Sequence, residues 1–402
     1  MQTECGADGQ PNYGLQGGTM VNQAQIRRAH SCATDAREAV REFHVGVAQS
    51  AMELVIFFCS SEYDLTVLAE EMRSLFAGVQ VVGCTTAGEI GPAGYREHSL
   101  TGASFPASSF NAVSGLIERL QLFTISGGQA LVRDLLQNLR RCTPTGNSFA
   151  LLLIDGLSMR EEAVTRTIQS ALGRIPLVGG SAGDGEKFGR THVYFEGRFH
   201  SDSAVLILFA TRLPFRLFKT QHFVATDQRL VVTEADPALR IVKEINGLSA
   251  AEEYARILGI DAHDLSPKRF AAWPVVVLIN ATNYVRSIQK ANPDGSLTFF
   301  CAIENGLVLR VAKGIDLIEN LEETFTRIHG EIGQPQFVLG CDCILRKLEI
   351  GQSPLKGRVN ELFLRNNTTG FNTYGEQFHG VHVNQTLVGV AIATDTPEMN
   401  HA

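Results

Sequence analysis

Short apolar runs alternate along the chain with segments whose apolar residues have helical spacing. Residues 54–59 form a continuous apolar run, which is typical of a buried strand. Asp64 is a potential N-cap for the helical pattern of residues 65–76, and residues 79–82 predict the next strand. Strand, helix and strand in this order predict a βαβ unit, in which a right-handed crossover joins two parallel strands.

The same order of elements occurs twice more, which predicts an internal repeat. The second copy has strands at 149–154 and 175–178 around a helix at 160–172. The third is more divergent, with strands at 337–340 and 370–371 and a shorter helical stretch at 359–365. Another helix, over residues 33–43, precedes the first copy.

A hydroxyl residue, any residue, a glycine and a carboxylate follow the second strand of each copy. One interpretation is a turn, because glycine permits left-handed backbone and the polar side chains bind nearby amides. The other is a ligand pocket, because parallel sheets bind ligands beyond the carboxyl ends of their strands. The two are compatible. The predicted turn residues are Thr86, Gly88, Glu89, Ser181, Gly183, Asp184, Thr373, Gly375 and Glu376.

The region between the second and third copies has a different pattern. Strands are predicted at 203–211, 215–223 and 230–233, and helices at 238–245 and 250–258. The dipeptide Asn305-Gly306 predicts a hairpin between residues 296–303 and 306–312. The expected fold class is therefore mixed α/β: repeated βαβ units with parallel strand pairs, plus an inserted antiparallel β and helical region. The expected divisions are a mobile leader (1–24), an N-terminal domain (25–222), a C-terminal domain (223–395) and a tail (396–402).

Composition and charge narrow the classes of partner. The 402 residues are 44% hydrophobic and 19% charged, which is enough for a large core, and the net charge of −7 argues against nucleic acid as the main partner. The longest apolar run, residues 270–279, is too short to span a membrane. The first 24 residues show no signal peptide, so the expected location is the cytoplasm.

Eight cysteines do not indicate a disulfide framework in a chain of this length. Cys341 and Cys343 form the one cluster, but a closed zinc site needs about four ligands and no second pair occurs. Reduced core thiols are the expectation. The sequence Gly179-Gly-Ser-Ala-Gly183 formally matches a nucleophile elbow, yet the glycine-rich segment after Ser181 does not favour the helix that an elbow requires. No enzymatic activity is predicted.

The three turn sequences, together with Ile245-Asn-Gly-Leu-Ser-Ala250 and the closing Asn384-Gln-Thr386, resemble the FIST sensory domain with its N- and C-terminal halves. The run from Gly375 to Thr386 is most similar to the haem-based nitric oxide sensors of the NosP type. This resemblance implies a signal-transduction protein that binds haem b and nitric oxide. It also implies regulation of a partner histidine kinase, with effects on biofilm and cyclic-di-GMP signalling.

Haem iron in a gas sensor needs a neutral imidazole ligand. Given the resemblance, His382 is the first candidate and His379 the second, because both follow the third turn. Three residues apart on an extended segment, they are expected to point to opposite faces. The alternative is a FIST module without haem that binds a small metabolite such as an amino acid, whose charged ends suit carboxylates and backbone amides.

Overall fold

The fold is mixed α/β, as the sequence predicts, with 30% helix and 41% strand. We analysed a computed structural model that describes residues 25–142, 147–279, 282–351 and 354–394. The predicted leader (1–24) and tail (396–402) lie outside the described residues.

Most strands belong to three six-stranded sheets, and the rest form one eight-stranded sheet. In chain order the strands are β1 Arg27–Ser31, β2 Met52–Ser60, β3 Gln80–Thr86, β4 Glu89–Gly91, β5 Gly94–Arg96, β6 Leu100–Pro106, β7 Phe110–Ile117, β8 Asn147–Ile154, β9 Leu177–Ser181, β10 Val193–Phe195, β11 Arg198–His200, β12 Ala204–Thr211, β13 Phe215–Thr220, β14 Phe223–Asp236, β15 Ile241–Ile245, β16 Leu248–Ser249, β17 Val275–Ile279, β18 Thr282–Arg286, β19 Ile288–Ala291, β20 Leu297–Phe299, β21 Val308–Gly314, β22 Pro335–Cys343, β23 Thr368–Thr373, β24 Glu376–Phe378, β25 Val381–Val383 and β26 Leu387–Ala393.

The α-helices cover the outer faces of the sheets. In chain order they are α1 Ala36–Val47, α2 Leu65–Leu75, α3 Ile125–Cys142, α4 Glu161–Leu172, α5 Ala250–Leu258, α6 Pro267–Ala272, α7 Leu317–Ile332, α8 Ile344–Gly351 and α9 Leu355–Arg365. Asp64 caps α2 as predicted, because its carboxylate accepts hydrogen bonds from two backbone amides of the first turn.

The three predicted copies are three full repeats of one topology. Each contains a parallel strand pair joined by helix, namely β2 with β3, β8 with β9, and β22 with β23. After the parallel pair come a hairpin and one last strand, which is β6, β12 or β26. This last strand pairs antiparallel with the first strand of its repeat, which is β1, β7 or β13. In the third repeat the crossover contains two helices. The predicted helical stretch corresponds to α9, and α8 precedes it.

Each hairpin leaves its own repeat and completes the sheet of another. The hairpin β4–β5 of repeat one pairs with β23 of repeat three. The hairpin β24–β25 of repeat three pairs with β9 of repeat two, and β10–β11 of repeat two pairs with β3 of repeat one. Because the exchange is cyclic, the three sheets interlock. The second strands of the three parallel pairs, β3, β9 and β23, therefore end close together.

The inner faces of the three sheets share one aromatic core. Phe58 of repeat one stacks on Phe371 of repeat three with ring centroids 4.4 Å apart. Phe105 meets Phe337 edge-on at 5.5 Å, and Phe149 and Phe209 belong to the same buried cluster. Each buried aromatic ring contributes about 1.5–3 kcal/mol relative to an exposed one. This core therefore fixes the relative positions of the three repeats.

Between β13 and α7 the third repeat carries an insert, the sheet β14–β21 with α5 and α6, which has its own apolar core. Two predictions here are wrong. The predicted helix at 238–245 contains strand β15, because pairing with β14 and β20 buries Val242 and Ile245. The predicted hairpin is absent: Asn305-Gly306 lies in a turn, but β21 pairs with β14 and β17 instead of β20.

Candidate functional site

The three predicted turns lie side by side and are joined by backbone hydrogen bonds. Between repeats one and three, the Ala87 amide donates to the Asn372 carbonyl at 2.9 Å. Between repeats two and three, the Ser181 amide donates to the Gly375 carbonyl at 2.8 Å. The Gly183 amide closes the ring by donating to the carbonyl of Thr85 at 2.9 Å. The cyclic hairpin exchange thus brings all three turns to one junction.

In repeat one the turn carboxylate is buried and fully bonded. The Thr86 hydroxyl donates to Oε1 of Glu89, and the Ser99 hydroxyl donates to Oε2 at 2.7 Å. The Ser99 amide also donates to Oε2 at 3.2 Å. Burial raises the pKa of Glu89 to about 7, although these hydrogen bonds oppose the shift.

Repeat three contains the same arrangement. Thr373 donates to Oε1 of Glu376, and the hydroxyl and amide of Thr386 donate to Oε2 at 2.7 and 3.3 Å. Burial raises the pKa of Glu376 to about 8. Both carboxyl groups join the turn to the start of the strand that follows the hairpin, so they act as internal clamps of the repeat.

Repeat two departs from this pattern, and the assignment of Asp184 as the third equivalent carboxylate is wrong. In the register of the exchanged hairpins, Val193 takes the position of Glu89 and Glu376. The assignment of Ser181 as the equivalent of Thr86 and Thr373 is also wrong, because its amide makes the hydrogen bond that Thr85 and Asn372 make in the other repeats. Residues 182–192 connect β9 to the hairpin and are far more numerous than the residues that make this connection in the other repeats. Counting residues from Ser181 therefore led to the wrong carboxylate. Asp184 instead accepts hydrogen bonds from the Gly189 amide and the Tyr374 hydroxyl.

A cavity of about 340 Å³ adjoins the first turn. Its lining includes Thr86, Gly88, Glu89 and Asp184 among the predicted residues. Lys347 also lines it, but its ammonium group is bonded to the Ala87 carbonyl and to Glu97, both at 2.7 Å. Ser181, Gly183, Thr373, Gly375 and Glu376 are not among its lining residues. The cavity therefore combines only part of the predicted set, and its polar groups bind one another.

His382 lies in a different environment, under the third turn. It is buried on β25 opposite Gln377, and its Nε2 atom has no hydrogen-bond partner. Both amide atoms of Asn384 and the Oε1 atom of Gln377 are also buried without partners. A Cβ atom on Gly375 would lie 2.2 Å from Cε1 of His382 and 3.2 Å from Nδ2 of Asn384, so these side chains pack together against that glycine.

The insert closes this cluster from the other side. Arg286 on β18 donates to the His382 carbonyl at 3.0 Å, while its Nε atom is buried and unpartnered. Glu162 on α4 interacts electrostatically with the imidazole, and Arg240 binds Glu162 at 2.7 Å. Burial lowers the pKa of His382 to about 4, with the charges of Arg240 and Arg286 acting in the same direction and Glu162 opposing them.

We call His382, Asn384, Gln377 and Arg286 the polar centre. Sequence reasoning singled out His382 but not the other three as ligand contacts. Asn384 was visible in the closing Asn384-Gln-Thr386 sequence, whereas Arg286 comes from the insert, and only the tertiary fold places it there.

His379 is not part of this cluster. It occupies the tip of the β24–β25 hairpin with a φ of 47°, and its exposed ring packs edge-on against Phe378 at 4.3 Å. The expectation of one extended segment containing both histidines is wrong, because the chain reverses at His379-Gly380 between the two strands. The tight turn separates an exposed histidine from a buried one.

Comparison with protein families assigns both halves of the chain. The FIST N domain matches residues 53–248, and the FIST C domain matches residues 250–379. The chain is a FIST-domain protein. FIST domains are sensory signal-transduction domains. A search of curated proteins found no match. His382 and Asn384 lie just beyond the matched residues.

A haem group does not fit the packing around His382 in this FIST-domain protein. A porphyrin needs a broad apolar slot on the open side of its axial ligand. Here an added methyl group on Gly375 would already lie 2.6 Å from the His382 Nε2 atom. The surroundings of the residue are polar: Asn384 packs against the same glycine, Gln377 lies 3.4 Å from the other ring nitrogen, and Arg286 binds the His382 carbonyl.

Other predicted features have structural roles. Cys341 and Cys343 are buried, and burial raises the pKa of both thiols well above the ordinary range. Among the residues that the structure describes, no three or more His, Cys, Asp or Glu side chains are grouped so that they could hold a metal ion. Ser181 is followed by irregular chain and accepts a hydrogen bond from Gln377 at 2.9 Å. Among the helices within the described ranges, none has the length and apolarity that a membrane crossing requires.

Proposed function

We propose that this FIST-domain protein is a sensor that binds a small polar metabolite, of the amino-acid class, in the polar centre. The observation that carries the proposal is the cluster of buried polar atoms without partners on His382, Asn384, Gln377 and Arg286. An unsatisfied buried donor or acceptor costs about 1–3 kcal/mol, so several in one place favour a ligand or ordered water that satisfies them.

The unpartnered atoms have the chemistry that a zwitterion requires. Nε of Arg286 and Nδ2 of Asn384 are donors, which suits a carboxylate. Oε1 of Gln377 and Oδ1 of Asn384 are acceptors, which suits an ammonium group. With its lowered pKa, His382 is neutral near pH 7 and offers one further polar atom without adding a third cation beside Arg286 and Arg240.

The position of the polar centre suits a sensor because three parts of the molecule meet there. Glu162 belongs to repeat two, His382 to the hairpin of repeat three, and Arg286 to the insert. A ligand bonded to residues from more than one part changes the relative stability of their packed and separated arrangements. This difference is the signal that a partner could detect. Haem binding, nitric oxide sensing and histidine kinase regulation stay predictions from the family resemblance.

The proposal is tested by thermal denaturation of the purified full chain with each standard amino acid, followed by calorimetry. At least one amino acid is expected to raise the melting temperature. Asn384→Ala is expected to weaken its binding roughly tenfold, the effect of losing about 1.4 kcal/mol of hydrogen bonding. His379→Asn, at the exposed tip of the same hairpin, is the matched control and should bind normally.

The same preparation, expressed with a haem supply, distinguishes the alternative. We expect no Soret band. A Soret band in the wild type that disappears in His382→Ala would overturn the proposal and support the haem prediction. The proposal also fails if no amino acid changes the melting temperature, or if Asn384→Ala binds as tightly as the wild type.

A further inference from the structure

A second cavity lies on the outer surface, where α2 of repeat one meets the hairpin β10–β11 of repeat two. It has a volume of about 430 Å³. Three arginines line it: Arg73 on α2, Arg190 in the segment 182–192, and Arg198 on β11. We call it the arginine cavity.

The three guanidinium groups have no ion pair or hydrogen bond to any residue that the structure describes. Six other arginines do form ion pairs with carboxylates: Arg41, Arg216, Arg240, Arg256, Arg346 and Arg358. The lining does include one carboxylate, Glu70, but within the described ranges it forms no ion pair with any of the three arginines. Three like charges placed together without counter-ions favour binding of an anion.

His192 supplies a second, independent observation. It lines the same cavity, and its Nδ1 atom is buried without a hydrogen-bond partner. Burial lowers the pKa of His192, and the charge of Arg190 lowers it further. The hydroxyl residues Thr66 and Ser201 are also among the lining residues. Neutral hydrogen-bonding groups therefore accompany the three cations.

The backbone of Arg190 and the side chain of Arg73 are held in position. The backbone amide of Arg190 donates to Oδ2 of Asp184 at 2.8 Å, which fixes the end of the segment 182–192. A Cβ atom on Gly197 would lie 3.1 Å from Cδ of Arg73, so the hairpin turn packs directly on that side chain. The φ of Gly197 is 79°, a conformation that glycine adopts without strain. The fold therefore fixes the chain positions from which two of the three arginines reach the cavity.

We propose that the arginine cavity binds the phosphoryl group of a small organic phosphate. Guanidinium groups bind phosphate oxygens through paired hydrogen bonds, and several of them together select multiply charged anions. The ring of Phe199, which also lines the cavity, offers an apolar face to the organic part of such a ligand. This site is separate from the polar centre and does not depend on the proposed sensing of amino acids.

The segment 182–192 connects the arginine cavity with the turn junction. Asp184 accepts hydrogen bonds both from the Arg190 amide and from the Tyr374 hydroxyl of repeat three. An anion bound to Arg190 therefore stabilises a segment whose other end packs against the third turn. Repeat two has lost the carboxylate clamp of the other repeats, and its longer connection supplies this site.

The test is calorimetric titration of the full chain with pyrophosphate and with adenosine monophosphate, at low and moderate salt. We expect saturable binding of at least one of them. Arg190→Ala and Arg198→Ala should each weaken it roughly tenfold, as for the loss of a charge-assisted hydrogen bond worth about 1.5 kcal/mol. Arg212→Ala, a control for general charge at another exposed arginine, should leave it unchanged.

Citrate serves as a polyanion without phosphorus. Citrate binding as tight as that of pyrophosphate would overturn the assignment to phosphate, as would equal effects of Arg190→Ala and Arg212→Ala. Absence of saturable binding by both phosphates would also overturn it. Because the side chains of Arg190 and Arg198 are exposed, both variants should keep the wild-type melting temperature, so weaker binding would not reflect unfolding.

Discussion

Two sets of buried polar groups occur within the hairpin of repeat three, and they differ in how completely they are bonded. Both oxygens of Glu376 accept hydrogen bonds from Thr373 and Thr386. A few residues away, both amide atoms of Asn384 and the Nε2 atom of His382 have none. Completely bonded groups stabilise the fold, whereas groups without partners are available to bind something else.

The corresponding position in repeat one makes the difference clearer. The hairpin register places Tyr95 opposite Ile90 in repeat one, as His382 lies opposite Gln377 in repeat three. The Tyr95 hydroxyl donates to Asp342, which also binds Arg346 at 2.7 Å. The same location is thus bonded internally in one repeat and left unsatisfied in the other, which supports the proposal of a ligand site in repeat three.

The largest expected effect is that of Gly375→Ala, which links the two sets. Its new Cβ atom would lie 2.2 Å from the His382 ring, so the imidazole and Asn384 must move. We expect a loss of about 3 kcal/mol in the free energy of unfolding, measured with urea, together with loss of ligand binding. Gly330→Ala has open space around its Cβ position and should not destabilise the protein. Equal stability of the two variants would contradict the packing described.

The next effect is a pH dependence of stability. Folding raises the pKa of Glu89 to about 7 and of Glu376 to about 8, so the folded protein holds these protons more tightly than the unfolded chain. Their contribution is complete at about pH 4.5 and is lost as the pH rises through 7 and 8, with a slope of at most about 1.4 kcal/mol per pH unit for each group.

Denaturation with urea between pH 6.5 and 8.5 measures this slope. The lowered pKa of His382 acts in the opposite direction near pH 6.5, where the unfolded chain still binds a proton at this residue, so the two carboxyl groups are isolated by comparison with a variant that keeps His382. The double variant Glu89→Gln/Glu376→Gln should have a flatter profile than the wild type. An unchanged profile would show that the two carboxyl groups do not titrate in that range.

The smallest effect compares the hydroxyl groups of the turns. Thr373→Val removes a donor to a buried carboxyl group and should cost about 1.5 kcal/mol. Ser181→Ala removes only the acceptor of the Gln377 amide in the repeat that lacks the carboxylate, so its cost should be nearer 0.5 kcal/mol. Urea denaturation of both variants measures the order, and a larger loss for Ser181→Ala would contradict the importance given to the hydrogen bond from Thr373 to Glu376.

Local patterns predicted the repeated architecture well, because the apolar runs that became β2, β8 and β22 are buried on both faces and need little context to be recognised. The turn at Asp184 was misassigned because an offset in sequence does not reveal the length of a loop. Strand β15 resembled a helix until its partners were known. The contact of Arg286 with the hairpin of repeat three, and the placement of Arg73 and Arg198 at one cavity, depend on contacts between distant segments, which one sequence does not show.

The most direct measurement is the nitrogen NMR signal of the histidine side chains, recorded while the stabilising amino acid is added to the ¹⁵N-labelled protein. Direct contact predicts that the Nε2 resonance of His382 shifts in proportion to occupancy, while that of His222, held by Glu349 and Arg346, stays in place. Binding that saturates without any change at His382 would contradict the placement of the ligand in the polar centre.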